Sequence, residues 1–343
     1  MSKSMSKNAD KNKNGTANIL PEVDTTTASE IQTQPINWLY PPFIPLGTAV
    51  VLIGDGGYGK SFYSLALAAA ISRGLPLPGI EKALLPPSDV IVQNAENPWP
   101  SVLKPRLEML GADCTKIHRI NDGGKRLTLT DNRIEAAIIK HNAKLVILDP
   151  IQSWLPNSFS MNRSESVRPA LMHLEKGAER TQSAILLVGH IGKGRGKAQH
   201  RGLGSVDIVN SVPSVLCLGR AEGLEPDIRV ISHLKGNFSE LGPTQLFRLS
   251  KATGFSWEGQ CDDITPDDIM SYSSSKSRSN SKASKIDEAI DFLQDILEDG
   301  GVPAAEAIEL AAEEGISKIT LDRARKQAGV KARRVDGRWI WLL

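Results

Sequence analysis

Apolar residues in this chain are gathered into short continuous runs separated by helical repeats. Ala49-Val50-Val51-Leu52-Ile53, Asp89 to Ala95, Lys144 to Asp149 and Ala184 to Val188 are unbroken rather than alternating. This is the pattern of strands buried on both faces, as in a parallel sheet. Helical patterns fall between them over 62–72, 99–112, 132–142 and 165–180, with a short strand at Ile117 to Ile120. Ser214 to Leu218, Ile228 to His233, Gln245 to Leu249 and Phe255 to Trp257 read as further strands. Several are joined by short turns, which predicts an antiparallel finish to the sheet. The fold class expected is α/β, a mostly parallel sheet with an antiparallel end.

The flanks follow different rules. Residues 1–34 are Lys, Asn, Ser, Thr and Asp with little apolar content and are expected to be disordered. Order is expected from Ile36-Asn37-Trp38-Leu39, before a proline-rich lead into the first long strand. From about Thr265 the composition changes, and Ser271 to Ser281 is low in complexity, as in a flexible linker. Amphipathic patterns then recur at Ile286 to Leu297, Ala304 to Glu314 and Thr320 to Ala328, each stopped by glycine. Val330 to Leu343 alternates like a hairpin turning at Asp336-Gly337. Three helices and a hairpin predict a small winged-helix-like domain. The division expected is a tail over 1–34, a core over 35–262, a linker over 263–284 and the small domain over 285–343.

Composition changes this picture little. The chain has 343 residues, 40% of them hydrophobic, and a formal net charge of +2, so whole-chain charge does not decide for or against nucleic acid. The three cysteines, Cys114, Cys217 and Cys261, are far apart and fit neither a disulfide framework nor a zinc spacing. No apolar run approaches a membrane span, and the lysine-containing amino terminus lacks the apolar segment of a secretory signal. A cytoplasmic location is the default expectation.

The candidate chemistry sits at the ends of the apolar runs. Gly54-Asp55-Gly56-Gly57-Tyr58-Gly59-Lys60-Ser61 lies between a strand and a helix, the context a P-loop requires. Glycines let successive N–H groups turn inward onto phosphate oxygens, and the helix that follows adds its unpaired N-terminal N–H groups. Lys60 would reach the outer phosphates of ATP, and the Ser61 hydroxyl would bind Mg²⁺. Glu96 follows the second run, where a carboxylate can deprotonate an attacking water; the alternative is an acid that complements a helix N-terminus. Asp149 ends the third run, as a Walker B acid does, and would hold the Mg²⁺. His190 ends the fourth, either as a γ-phosphate sensor or as a structural histidine. The following Gly-rich loop, 191–202, carries Lys193, Arg195, Lys197 and Arg201 and suits a nucleic-acid backbone, against the alternative of a solvated loop. A second loop, Gln152 to Arg168, carries Arg163 and Arg168 and is the weaker candidate. In the C-terminal module, Arg323, Arg325, Lys326, Arg333 and Arg334 make the third helix and the hairpin basic, as duplex DNA requires. A protein-docking module is the alternative there.

Together these motifs resemble the RecA-like ATPases of the RepA-like hexameric helicase group, found on phages, plasmids and other mobile elements. The likeness spans about 36–258. It is carried by Gly54 to Ser61, Asn94-Ala95-Glu96-Asn97-Pro98, Arg106-Leu107, Leu148-Asp149-Pro150, Gly189-His190 with Gly192-Lys193-Gly194, Arg201 to Ser205, and Lys235-Gly236-Asn237. The resemblance implies Glu96 as catalytic base, Asp149 as Walker B acid, His190 as sensor, Arg106 as an adenine contact and Phe238 as an aromatic wall to the base. It also implies a homo-oligomeric, hexameric ring with ATP bound between subunits. One departure stands out: Pro213 occupies the place of an arginine finger. Either Lys235 acts as the finger in trans, or hydrolysis is slow. The function expected is an ATP-dependent DNA translocase or helicase in replication of a mobile element. The alternative is an ATP-controlled DNA-binding regulator or adaptor without unwinding activity.

Overall fold

The computed structural model describes residues 23–155, 164–190, 206–250 and 254–272, part of 286–297, and 301–342 apart from 336–337; for His190, 164–166, 206–207, 313, 335 and 338 it describes the backbone alone. The described part of the expected tail, residues 23–36, carries one 3-10 turn at Ala28–Glu30. Thr27 closes it with a capping box, its backbone N–H donating to Glu30 Oε2 at 3.0 Å. A four-residue capping signal inside a polar segment is why this turn forms where composition predicts none.

The main unit is a nine-stranded sheet. In chain order its strands are β3 (Ala49–Gly54), β4 (Val90–Asn94), β5 (Ile117–His118), β6 (Leu145–Asp149), β7 (Ala184–His190), β8 (Ser214–Gly219), β9 (Ile228–Gly236), β10 (Thr244–Ser250) and β11 (Gly254–Cys261). They lie in the order β11-β10-β9-β8-β3-β7-β6-β4-β5. The six from β8 to β5 run parallel, and β9, β10 and β11 add antiparallel. The continuous apolar runs now have their reason. Val51, Val146 and Ile185 enter a core on one face, while Val50, Ile147 and Leu186 enter a second core on the other. The first core is covered by α3 (Arg133–His141), α4 (Ser164–Thr181) and α5 (Val206–Ser211), and the second by α1 (Lys60–Arg73) and α2 (Lys104–Met109). α1 is apolar nearly all round and is buried nearly all round, unlike an amphipathic surface helix. The arrangement is a RecA-like P-loop core, as the runs predict.

Two features of this core were not predicted. The proline-rich lead forms a small hairpin, β1 (Trp38–Tyr40) with β2 (Ile44–Pro45), that buries Tyr40 and Phe43. Residues 266–272, placed by composition in the linker, are helical, and Ile269 and Met270 belong to the first core. Ile269 sits over Gly219, where a Cβ would overlap its side chain. Burying one such side chain contributes about 2 kcal/mol. This outweighs the polar composition around it, so the core extends past residue 262.

The C-terminal residues form their own hydrophobic cluster, including Leu293, Ala307, Leu321, Ala324 and Trp341. The described part of 286–297 is helical, followed by helices Ala304–Glu313 and Lys318–Gln327. A three-stranded sheet closes the cluster, in the order β12 (Val302–Pro303), β14 (Arg338–Leu342), β13 (Lys331–Val335). Arg323, Lys326, Lys331, Arg333 and Arg334 are exposed, and Trp339 is 56% exposed opposite Arg334. The turn at 336–337 and the expected linker beyond 272 lie outside the described residues. Among the described residues no helix is long and apolar enough to cross a membrane.

His233 on β9 ties the amino-terminal hairpin to the sheet. The Gly242 N–H donates to its Nδ1 at 3.1 Å, so Nε2 carries the proton of the neutral ring and faces Ser214 Oγ at 3.2 Å. Ser214 in turn donates to the Phe43 carbonyl at 2.6 Å. A proton added at Nδ1 would oppose the Gly242 N–H, and burial lowers the pKa from 6.5 to about 4. The native state therefore binds fewer protons than the unfolded chain between these values, and stability falls as pH drops through that window. Between pH 7 and pH 5 the loss from this residue is about 2 kcal/mol. Urea denaturation at the two pH values should show that loss shrinking in His233→Gln. An equal loss in both proteins would show that His233 does not carry it.

Candidate nucleotide site

Strand register places the predicted residues on one edge of the sheet. Asn94 lies level with Asp149, Leu148 with Leu187, and Gly54 with both His190 and Leu218. The carboxyl ends of β4, β6, β7 and β3 therefore line a single crevice, where ligands of parallel sheets bind.

The P-loop spans the end of β3 and the start of α1. A Cβ at Gly54 would overlap the Leu218 carbonyl oxygen, and Gly59 has φ 98 with Leu249 Cδ2 2.8 Å from where its Cβ would stand. Only glycine fits either position. The Lys60 side chain turns back into the loop and donates to the carbonyls of Gly54 and Asp55, each at 2.8 Å. Lys60 is 6% exposed, and burial lowers its pKa against the opposing charges of Asp149, Asp55 and Glu96.

Asp149, 4% exposed, is held from two sides. Ser61 hydrogen-bonds its carboxylate, and Asn94 Nδ2 donates to Oδ2 at 3.0 Å. Burial raises its pKa, with the Glu96 charge, while Ser61, Lys60 and Asn94 work the other way. The Ser61 hydroxyl and the Asp149 carboxylate thus put two hard oxygen donors side by side beside the P-loop, a donor set that suits Mg²⁺.

Asn94 is the residue that motif reading undervalued. Its Oδ1 accepts from the backbone N–H of Glu96 at 3.1 Å and of Asn97 at 2.7 Å, while its amide holds Asp149. One side chain therefore sets both the Asp149 carboxylate and the turn that carries Glu96. Its position opposite Asp149 depends on strand pairing, which a linear motif does not encode. Glu96 itself is exposed on this turn.

Arg106, on α2, lies with its guanidinium carbon 4.6 Å from the centroid of Phe62, the residue after Ser61. Tyr58 is coupled to Arg220 and Arg229, which follow β8 and sit on β9. The Nε atoms of both arginines are buried without a hydrogen-bond partner among the described residues. A glycine-arginine pair at a strand tip, Gly219-Arg220, was the available signal for one of them.

Phe238 and Lys235 are not brought to this edge. β9 runs antiparallel to β8 and spans the sheet, so Lys235 pairs with Val215 and Gly236 with Ser214 at the opposite end. Phe238, 42% exposed, stands beyond that end, whereas Phe62 directly follows the P-loop serine. Strand direction carries Phe238 away from the P-loop of its own chain. The Lys235 ammonium donates to the carbonyls of Val209, Asn210 and Val212 at 3.2, 3.0 and 2.7 Å, capping the end of α5. Burial lowers its pKa against the charge of Glu175, whose own pKa burial raises to about 7. The His190 side chain, Arg163, and the loop with Lys193, Arg195, Lys197 and Arg201 lie outside the described residues; Arg168 is exposed on α4.

Replacing Asn94 by Ala should lower ATP hydrolysis about 10- to 100-fold while leaving the melting temperature within a few degrees, since the residue orients ligands rather than filling the core. Steady-state phosphate release beside a thermal melt checks this. Undiminished turnover would remove Asn94 from the positioning role.

The sequence model of the AAA domain matches residues 16–196, more than half of the chain. The match takes in the P-loop, Asn94, Glu96, Asp149 and β7. With a P-loop, a buried acid hydrogen-bonded to its serine, and a RecA-like sheet in one place, the chain belongs to the AAA-domain family of P-loop ATPases.

Proposed function

We propose that the protein is a DNA translocase or helicase-type ATPase, working as a homo-hexameric ring in replication of a phage or other mobile element. The observation that carries the hydrolytic part is the convergence of Lys60, Ser61, Asp149 and Glu96 on one sheet edge. The Gly54–Ser61 loop binds the triphosphate, and Arg106, stacked on Phe62, is assigned to the base. Ser61 and Asp149 would hold Mg²⁺, which would supply charge neutralisation at the phosphates. Glu96 orients the attacking water and accepts its proton, and Lys60 offsets charge on the transferring phosphoryl group.

Charge on the C-terminal module supports the DNA part. Its helix Lys318–Gln327 presents Arg323 and Lys326, and the hairpin presents Lys331, Arg333 and Arg334 beside an exposed Trp339. We read this as a winged helix separate from the ATPase core and suited to a duplex backbone. The loop at 191–202 then couples nucleotide state to DNA. Lys235 and Phe238, at the far edge from their own P-loop, are assigned to a neighbouring subunit's site.

One observation favours the second reading, an ATP-controlled DNA-binding regulator. Pro213 stands in the finger position with its carbonyl accepting the Asn237 N–H at 2.8 Å, and Lys235 must leave three carbonyls to act in trans.

ATP hydrolysis with and without single-stranded DNA, beside unwinding of a forked duplex, separates the two. The translocase reading expects several-fold stimulation and strand separation. Unstimulated turnover without unwinding would sink it in favour of the regulator. In either case, the double variant Arg323→Ala/Lys326→Ala should weaken duplex binding and lower the salt-dependence slope by about 2. Unchanged duplex affinity would make the module a protein adaptor.

A further inference from the structure

At the opposite end of β4 from Asn94, three elements bring Asp89, His118 and His141 together. Asp89 precedes β4 and its carbonyl accepts the Lys144 N–H at 2.9 Å, which ties it to the start of β6. His118 ends β5, level with Ile91 on β4. His141 is the last residue of α3, which Asn142 stops at φ 48. Asp89 Oδ1 lies 2.6 Å from His118 Nε2, and the two imidazoles stack with centroids 3.7 Å apart and planes 20° from parallel. One donor atom from each residue lies within 4.8 Å of the others. Lys116 Nζ, 3.2 Å from Asp89 Oδ2, fixes the second carboxylate oxygen.

We propose that Asp89, His118 and His141 form a site for a divalent transition-metal ion, best matched by Zn²⁺, that clasps edge strand β5 to α3. Two imidazole nitrogens and one carboxylate oxygen are a borderline donor set, poor for Mg²⁺ and suited to zinc, with water as the fourth ligand. A tetrahedral ion with bonds of about 2.0–2.1 Å needs its donors roughly 3.3–3.4 Å apart. The Asp89–His118 contact would open by less than an ångström. The His141 ring must turn out of the stack, because an imidazole binds metal in its own plane. That ring sits at a partly exposed helix end, where rotation meets little resistance. Lys116 stays on the other Asp89 oxygen as an outer partner that orients the ligand, while its charge moderates the affinity. The site needs no part of the nucleotide crevice. β5 has only two residues, so an ion joining it to α3 supplies what backbone pairing does not.

The test is Zn²⁺ titration of the full chain, stripped with chelator and free of nucleotide, by calorimetry and thermal melting. One ion per chain and a rise in melting temperature are expected. His118→Gln and His141→Gln should each weaken binding at least ~10-fold and abolish the rise, with ATP affinity unchanged as proof of an intact core. Co²⁺ added to the wild-type chain should give the visible absorption of a four-coordinate nitrogen–oxygen site, a readout that holds if either variant fails to fold. No stoichiometric binding, a six-coordinate Co²⁺ spectrum, or wild-type Zn²⁺ affinity in both variants overturns the proposal.

Discussion

A buried carboxylate facing a buried ammonium is the constraint around which the sheet is arranged. Asp149 and Lys60 are both nearly inaccessible, and burial shifts each towards its neutral form. Removing such groups from water costs several kcal/mol per ion unless other polar groups replace the solvent. Here Ser61 and Asn94 bind the acid, and two P-loop carbonyls bind the lysine. The partners come from two strand ends, Asn94 from β4 and Ser61 with the two carbonyls from the P-loop after β3. The register that sets Asn94 level with Asp149 is thus an electrostatic requirement as much as a packing one. A slip of one residue in β4 would turn Asn94 to the other face and swap the strand's apolar side chains between the two cores.

The same constraint explains what could be read from the chain and what could not. The strands that carry the site are buried on both faces, so their runs stand out without any structure. Their tips carry the P-loop, Glu96 and Asp149, and these sit together as the runs predict. Asn94 acts through pairing with a strand some distance away in the sequence, and β1 and β2 are too short and proline-rich to show a period. The helix at 266–272 is polar in composition, and one isoleucine over Gly219 holds it. Phe238 was read by its place in a motif, whereas the length and antiparallel sense of β9 decide which edge it reaches. The Asp89, His118 and His141 cluster is scattered over three elements and has no spacing signature.

The nucleotide crevice and the C-terminal module rest on different physics. The crevice uses buried, fixed groups with shifted protonation, which suits chemistry on a phosphoryl group. The C-terminal module presents exposed cations around a small apolar cluster, which suits a polyanion whose grip varies with salt. Arg220 and Arg229 bring positive charge to Tyr58 of the P-loop from within the same chain.

The most direct measurement compares ATP binding and steady-state hydrolysis in the wild-type chain and in Glu96→Gln. If the strand-tip cluster is a hydrolysis site with Glu96 as its base, the variant binds ATP with wild-type affinity and loses turnover. Wild-type turnover in that variant would contradict the assignment.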